Sequence, residues 1–173
     1  MALAIRVFVV VAFVFRLGTL RISVRNEKRM KTEGAREFGR ANSLTLGILH
    51  TAIYVAAIGE SVWRGARVDA VSVAGIVLYA IGSVGLVVVI RTLGKFWSLK
   101  LLIAKNHVLV THPLFRVVRH PNYFVGILPE LVGFCLALHA WITVAVGMPV
   151  YLVSLVLRIR LEERVMRQEF AAY

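Results

Sequence analysis

Cysteine, acidic residues and linker-type sequence are all scarce in this chain, and each shortage removes a class of explanation. Cys135 is the only cysteine in 173 residues and lies inside an apolar run, so neither a disulfide framework nor a CxxC metal site is available. No metal centre is expected. No long polar or Gly/Ser/Pro-rich stretch interrupts the chain, which leaves no place for an interdomain linker and predicts one unit over residues 1–173. No glycine-rich fingerprint follows a strand, which argues against a Rossmann-type site. There is no internal repeat, and no series of alternating apolar residues long enough for a barrel.

What is present is apolar and basic. Hydrophobic residues make up 59% of the sequence, charged residues only 17%, and the mean hydropathy is +0.78, too apolar for an ordinary soluble domain. Against 21 Lys and Arg stand 9 Asp and Glu, a formal net charge of +12. The basic residues flank apolar runs and are not interleaved with base-stacking aromatics, so the expected partner is a lipid surface and not a nucleic acid.

A membrane helix needs roughly 20 apolar residues, fewer where flanking Arg or Lys reach the interface. Residues 3–17, 44–62 and 71–90 satisfy this, with Arg6 and Arg16 expected to snorkel from the two ends of the first. The apolar region 124–157 is too long for one crossing, since at about 1.5 Å per residue it would extend roughly 50 Å against a core of roughly 30 Å. It is predicted to fold as a helical hairpin, with spans 124–139 and 142–157 and a turn near His139, Ala140 and Trp141. The fold class is therefore all-α, with five transmembrane helices. Gly82 and Gly85 can pack within this bundle or between protomers.

Basic residues set the orientation. The first loop holds Arg21, Arg25, Lys28, Arg29, Lys31, Arg36 and Arg40. The third holds Arg91, Lys95, Lys100, Lys105, Arg116 and Arg119, and the tail Arg158, Arg160, Arg164 and Arg167. Only Arg64 and Arg67 occupy the second loop. The positive-inside rule then places the N-terminus outside and the tail in the cytoplasm.

Polar segments 94–123 and 158–173 bracket the final hairpin. In Arg119-His120-Pro121-Asn122-Tyr123 the proline disfavours helix at His120 and suits a first helical turn, so a membrane helix should start there and present free backbone N–H groups. Flanked by Arg116 and Arg119, such a start suits a carboxylate or phosphate, though the same pattern also serves as plain helix-start punctuation at a basic interface. Arg158 lies one turn before Glu162, as Glu163 does before Arg167, so both pairs can close on a helix. Glu130 is an ionisable group inside an apolar run, which makes it a functional candidate or a partner for a neighbouring helix.

Taken in order, His107-Val108-Leu109-Val110, then Arg119-His120-Pro121-Asn122-Tyr123, then Arg158-Ile159-Arg160-Leu161-Glu162-Glu163 resemble the isoprenylcysteine carboxyl methyltransferase family of integral-membrane enzymes. The likeness covers the half of the chain from about Gly94 onward. It implies a pocket for S-adenosylmethionine held by His107, Val108, Leu109, Val110, Phe115, His120, Pro121, Asn122, Tyr123 and Glu162. It also implies that Arg158 binds the acceptor and that Glu162 contacts the cofactor; Glu162, one turn from Arg158 and able to orient it, is read as the second catalytic residue, and Glu130, from its place inside the apolar run, as a further substrate-binding candidate. The acceptor would be a lipophilic small molecule or a prenylated substrate reached from the membrane. Phe115 stands where the family commonly has Tyr, Ala171 where it usually has Gly, and Tyr173 falls one residue closer to Phe170 than is common.

The residue types suit that chemistry. Aromatic faces and a carboxylate can hold a sulfonium cation, and backbone N–H groups an anionic methionine end. A carboxylate acceptor is ionised near neutral pH and needs no general base, whereas a lipid amine or hydroxyl would need one, for which His120 and Glu130 are candidates. Two other readings carry less of the pattern. A sterol-type membrane reductase shares an Arg-His-x-x-Tyr region but not the upstream His107-Val108-Leu109-Val110. A non-enzymatic membrane adaptor would use only the basic stretch 21–40, where Glu27, Glu33 and Glu37 fall at helical spacings.

Overall fold

A computed structural model of the chain describes residues 2–103, 113 and 117–169. Its elements in chain order are α1 (Leu3–Thr32), β1 (Arg36–Phe38), α2 (Arg40–Arg64), α3 (Ala70–Leu93), a 3-10 turn (Gly94–Phe96), β2 (Leu101–Ile103), α4 (Asn122–Ala137) and α5 (Thr143–Glu169). The openings of α4 and α5, Asn122–Ile127 and Thr143–Gly147, are wound as π-helix. Helices α1, α2, α3 and α5 are long and apolar enough to cross a membrane, and α4 is a shorter apolar helix. The chain is thus an all-α polytopic membrane protein, to which the structure adds one small antiparallel ribbon, Arg36 opposite Ile103 and Phe38 opposite Leu101.

The first helix departs from expectation. It does not end near Leu17 but runs on through the basic stretch to Thr32. Arg, Lys, Glu and Met are good helix formers, and Lys31 pairs with Glu27 at 2.7 Å and Arg29 with Glu33 at 3.1 Å, each four residues apart. Arg16 consequently lies mid-helix. Instead of snorkelling it turns inward, its side chain 18% exposed, and meets the fully buried Glu130 at 3.3 Å.

Helices α3 and α4 approach more closely than side chains would allow, because glycines face each other across their contact. Gly75 and Gly82 on α3, and Gly126 and Gly133 on α4, each recur after seven residues and so share a face. A methyl group added at Gly82 would stand 2.6 Å from the Glu130 backbone nitrogen, and one at Gly133 would collide with the backbone of Tyr79. Gly82 and Gly85 therefore pack within the bundle, of the two arrangements their positions allowed.

The turn between the last two helices falls at residues 138–140, with His139 in the left-handed region at φ 55°. Its Nε2 lies 2.9 Å from Ser72 Oγ and 3.1 Å from Asp69 Oδ1, the residue that caps α3, so the turn is pinned to the start of α3. The hairpin differs from a packed pair, however. Helix α4 lies along α3 and α5 along α2, and α4 and α5 meet at their turn and, at the far end, through the side chains of Tyr123, Arg158 and Glu162. The glycine faces draw α4 to α3, while Glu60 of α2 accepts hydrogen bonds from the backbone N–H groups of Ile142 and Thr143, both at 2.9 Å, and so anchors the start of α5.

The glycine contact gives a direct test. Gly82→Val should separate α3 from α4 and destabilise the fold by about 3 kcal/mol or more, whereas Gly59→Ala, with nothing within 4 Å of the new methyl, should stay within about 0.5 kcal/mol. Thermal unfolding of the two purified variants, followed by helical circular dichroism, checks this.

Candidate functional site

At one end of the bundle the start of α2, the segment before β2, the start of α4 and the last turns of α5 converge on Arg158. This guanidinium is 2% exposed. Its Nε donates to Glu162 Oε1 at 2.8 Å and to the Tyr123 hydroxyl at 3.2 Å, Nη1 to Ser43 Oγ at 2.6 Å and Nη2 to the Leu99 carbonyl at 3.3 Å. The Tyr123 hydroxyl in turn donates to Glu162 Oε1. Arginine has five N–H groups, and these contacts leave one on each terminal nitrogen.

The histidine motif completes the cluster. Pro121 adopts a helical conformation at the start of α4, as its sequence position predicts, and presents His120 to α5. Nδ1 of His120 lies 3.4 Å from Glu162 Oε2, and Nε2 lies 3.4 Å from Glu163 Oε1. The His120 ring stacks on Tyr123 at 6.2 Å between centroids. Burial disfavours the imidazolium, but the carboxylates of Glu162 and Glu163 outweigh it and hold His120 above its ordinary value. The expected free donors at this helix start are partly taken, because the His120 carbonyl accepts from the N–H groups of both Tyr123 and Phe124. Asn122 accepts from the indole of the buried Trp97 at 3.1 Å.

Helix α1 supports the arrangement from behind. Asn26 donates to the carbonyls of Gly94 and Trp97 at 3.0 and 2.8 Å, and Ser23 Oγ accepts from the Leu99 N–H at 2.9 Å. That fixes the Leu99 carbonyl against Arg158. The β1–β2 ribbon covers the tail from the same side, seating Leu101 and Ile103 on Val165.

The structure brings together Arg158, Glu162, His120, Pro121, Asn122 and Tyr123. Glu130 belongs to a second group, deeper in the bundle: it pairs with Arg16 and accepts from the Tyr54 hydroxyl at 2.9 Å, while Tyr54 stacks on Phe134 at 4.0 Å between centroids. His107, Val108, Leu109, Val110 and Phe115, as well as Arg116, Phe170, Ala171 and Tyr173, lie outside the described residues. Both spacing-based pairs form, Arg158 with Glu162 and, at 3.6 Å, Arg167 with Glu163. Ser43 and the Leu99 carbonyl were not expected. They lie 115 and 59 residues from Arg158 in the chain, and neither carries a local pattern that marks it.

A membrane-embedded helical bundle with an Arg–Glu–Tyr–His cluster at its mouth defines the class. Within that class, the chain matches the isoprenylcysteine carboxyl methyltransferase family over residues 74–168, more than half its length, and it belongs to that family of membrane methyltransferases. The match begins in α3, upstream of the region from Gly94 where the sequence motifs start, and takes in α4, α5 and the Arg158 cluster. Among relatives, an uncharacterized protein of Haemophilus influenzae is 39% identical over 155 residues, 90% of each chain. The uncharacterized protein YpbQ of Bacillus subtilis is 26% identical over 169 residues, 92% of this chain and 95% of its own. No solved structure matches.

The electrostatics of His120 are open to titration. With its folded pKa raised above the unfolded value of about 6.5, it should contribute stability that is fully present below that pH and lost as pH rises through the folded value. Glu162→Gln should shift the His120 titration downward in an NMR experiment, and an unchanged titration would contradict the pairing.

Proposed function

We propose that this protein transfers the methyl group of S-adenosylmethionine to a lipophilic acid at the cytoplasmic membrane face, with a carboxylate such as that of a prenylcysteine-like lipid as the best-fitting acceptor. The observation that carries this reading is Arg158, a buried and oriented guanidinium whose contacts with the described residues leave one N–H on each terminal nitrogen for a ligand. A planar fork of this kind matches a carboxylate in a way that an ammonium does not.

The neighbouring residues suit the cofactor. The carboxylates of Glu162 and Glu163 and the ring of Tyr123 are the groups that a sulfonium cation favours, and the family resemblance adds His107, Val108, Leu109, Val110 and Phe115. When bound, S-adenosylmethionine would supply an electrophilic methyl, passed to the acceptor oxygen as its bond to sulfur breaks and leaving a neutral thioether.

The remaining work is done by the chain. Arg158 orients the acceptor oxygen, and Ser43, Leu99 and Glu162 hold Arg158 in one rotamer, so orientation can supply a large part of the barrier reduction. The carboxylates of Glu162 and Glu163 favour the charged imidazolium of His120, which makes that ring a poorer base. A carboxylic acid arrives already ionised near neutral pH and needs no base, which favours it over an amine or an ordinary alcohol. The orientation of the site follows from the concentration of Arg and Lys at this end, against Arg64 and Arg67 at the other.

The test is a panel of acceptors with radiolabelled methyl donor: prenylcysteine, a fatty acid, a phenolic lipid and a phospholipid amine. Acids should be methylated and the amine should not, and transfer to the amine alone would overturn the proposal. Arg158→Lys should lower kcat/KM for the acid by about tenfold or more, with cofactor affinity changed by less than about threefold.

A further inference from the structure

Arg91, in the last turn of α3, has no acidic partner among the described residues, and it is not alone. Arg21, Arg25 and Lys28 of α1 are likewise unpaired, whereas Arg29, Lys31, Lys95 and Lys100 share the carboxylates of Glu27, Glu33 and Glu37. A surplus of positive charge therefore remains at this end of α1 and α3, where the apolar part of α3 gives way to polar sequence.

Directly below Arg91 a groove runs between α1 and α3, lined by Phe15, Ser83, Val84, Val87, Val88 and Arg91 itself. Val84 and Val88 are 65% and 44% exposed, so this wall faces outward from the bundle. Within the membrane an outward apolar groove meets hydrocarbon chains and not water. Phe15 closes one side and also packs against the cluster of Leu86, Val89 and Trp97 behind it. The short valine side chains of α3 leave the trough open. Arg91 follows Val88 by three residues, one helical turn along the groove toward the basic end. An acyl chain in the trough would thus carry its headgroup to an unpaired guanidinium.

We propose that the α1–α3 groove binds an anionic phospholipid, with one acyl chain lying between Phe15 and the valines and the phosphate on Arg91. The site is separate from the Arg158 cluster and does not depend on the methyl-transfer reading.

Trp97 reports on this site because it belongs to the buried cluster against which Phe15 packs. With Trp63→Phe and Trp141→Phe, it remains the sole tryptophan. Reconstituted in phosphatidylcholine bilayers, this parent protein should be quenched by phosphatidylglycerol with brominated acyl chains at a relative affinity about fivefold above that of brominated phosphatidylcholine, the preference one cation supplies near an anionic headgroup. Arg91→Gln should bring the ratio toward one. In the parent, raising salt from about 0.05 to about 0.5 M should also lower it. Equal quenching by the two lipids in the parent, or a preference that survives both Arg91→Gln and high salt, overturns the proposal.

Discussion

A guanidinium that water cannot reach has to be met by the protein, and Arg158 imposes that requirement on one end of the bundle. Removing one partner of a buried charge typically costs about 3–5 kcal/mol, so the groups that satisfy it are held in place as firmly as any core contact. Those groups come from four separate parts of the chain: Ser43 from α2, the Leu99 carbonyl from the segment before β2, Tyr123 from α4 and Glu162 from α5 itself. Even α1, which makes no direct hydrogen bond to Arg158 in this set, acts on it through Ser23 and Asn26, which fix residues 94–99. The charge thereby converts a set of loosely apolar helices into one arrangement.

The glycine contact between α3 and α4 makes that arrangement reachable. Close approach there sets the position of α4, which carries Tyr123 at its start and Glu130 seven residues further on. The same interval separates Ser43 from His50 on α2 and Tyr151 from Arg158 on α5. On α2 and α5, regular α-helix over these residues, this repeats a polar residue two turns deeper on the same face, roughly 10 Å along the axis, while α4 carries Glu130 beyond its π-helical opening. The deeper layer is closed by Arg16 and Tyr54 on Glu130. This second ion pair ties α1 to α4 inside the apolar region, and it explains why an arginine and a glutamate can stand in otherwise apolar helices.

Local rules made part of this legible beforehand. The proline after His120 marks the start of α4, and the four-residue intervals from Arg158 to Glu162 and from Glu163 to Arg167 become ion pairs because a helix puts such residues on one face. Hydropathy located the spans but mistook the end of α1, since it registers where the apolar stretch stops and not where hydrogen bonding does. That error turned Arg16 from a buried partner into a snorkelling side chain. The contacts of Ser43 and Leu99 with Arg158 were beyond such reasoning, because nothing in their own neighbourhoods depends on a residue 115 or 59 positions away. The family motifs supplied the chemistry that geometry could then be matched against, and the first of them, residues 107–110, lies outside the described part of the chain.

If the cluster around Arg158 serves methyl transfer, its neighbouring carboxylates and aromatic rings must first hold the methyl donor. The most direct measurement is equilibrium binding of labelled S-adenosylmethionine to the purified, detergent-solubilised protein. The account predicts saturable binding of one molecule per chain, displaced by the demethylated thioether product. A protein with an intact helical spectrum and no saturable binding would contradict it.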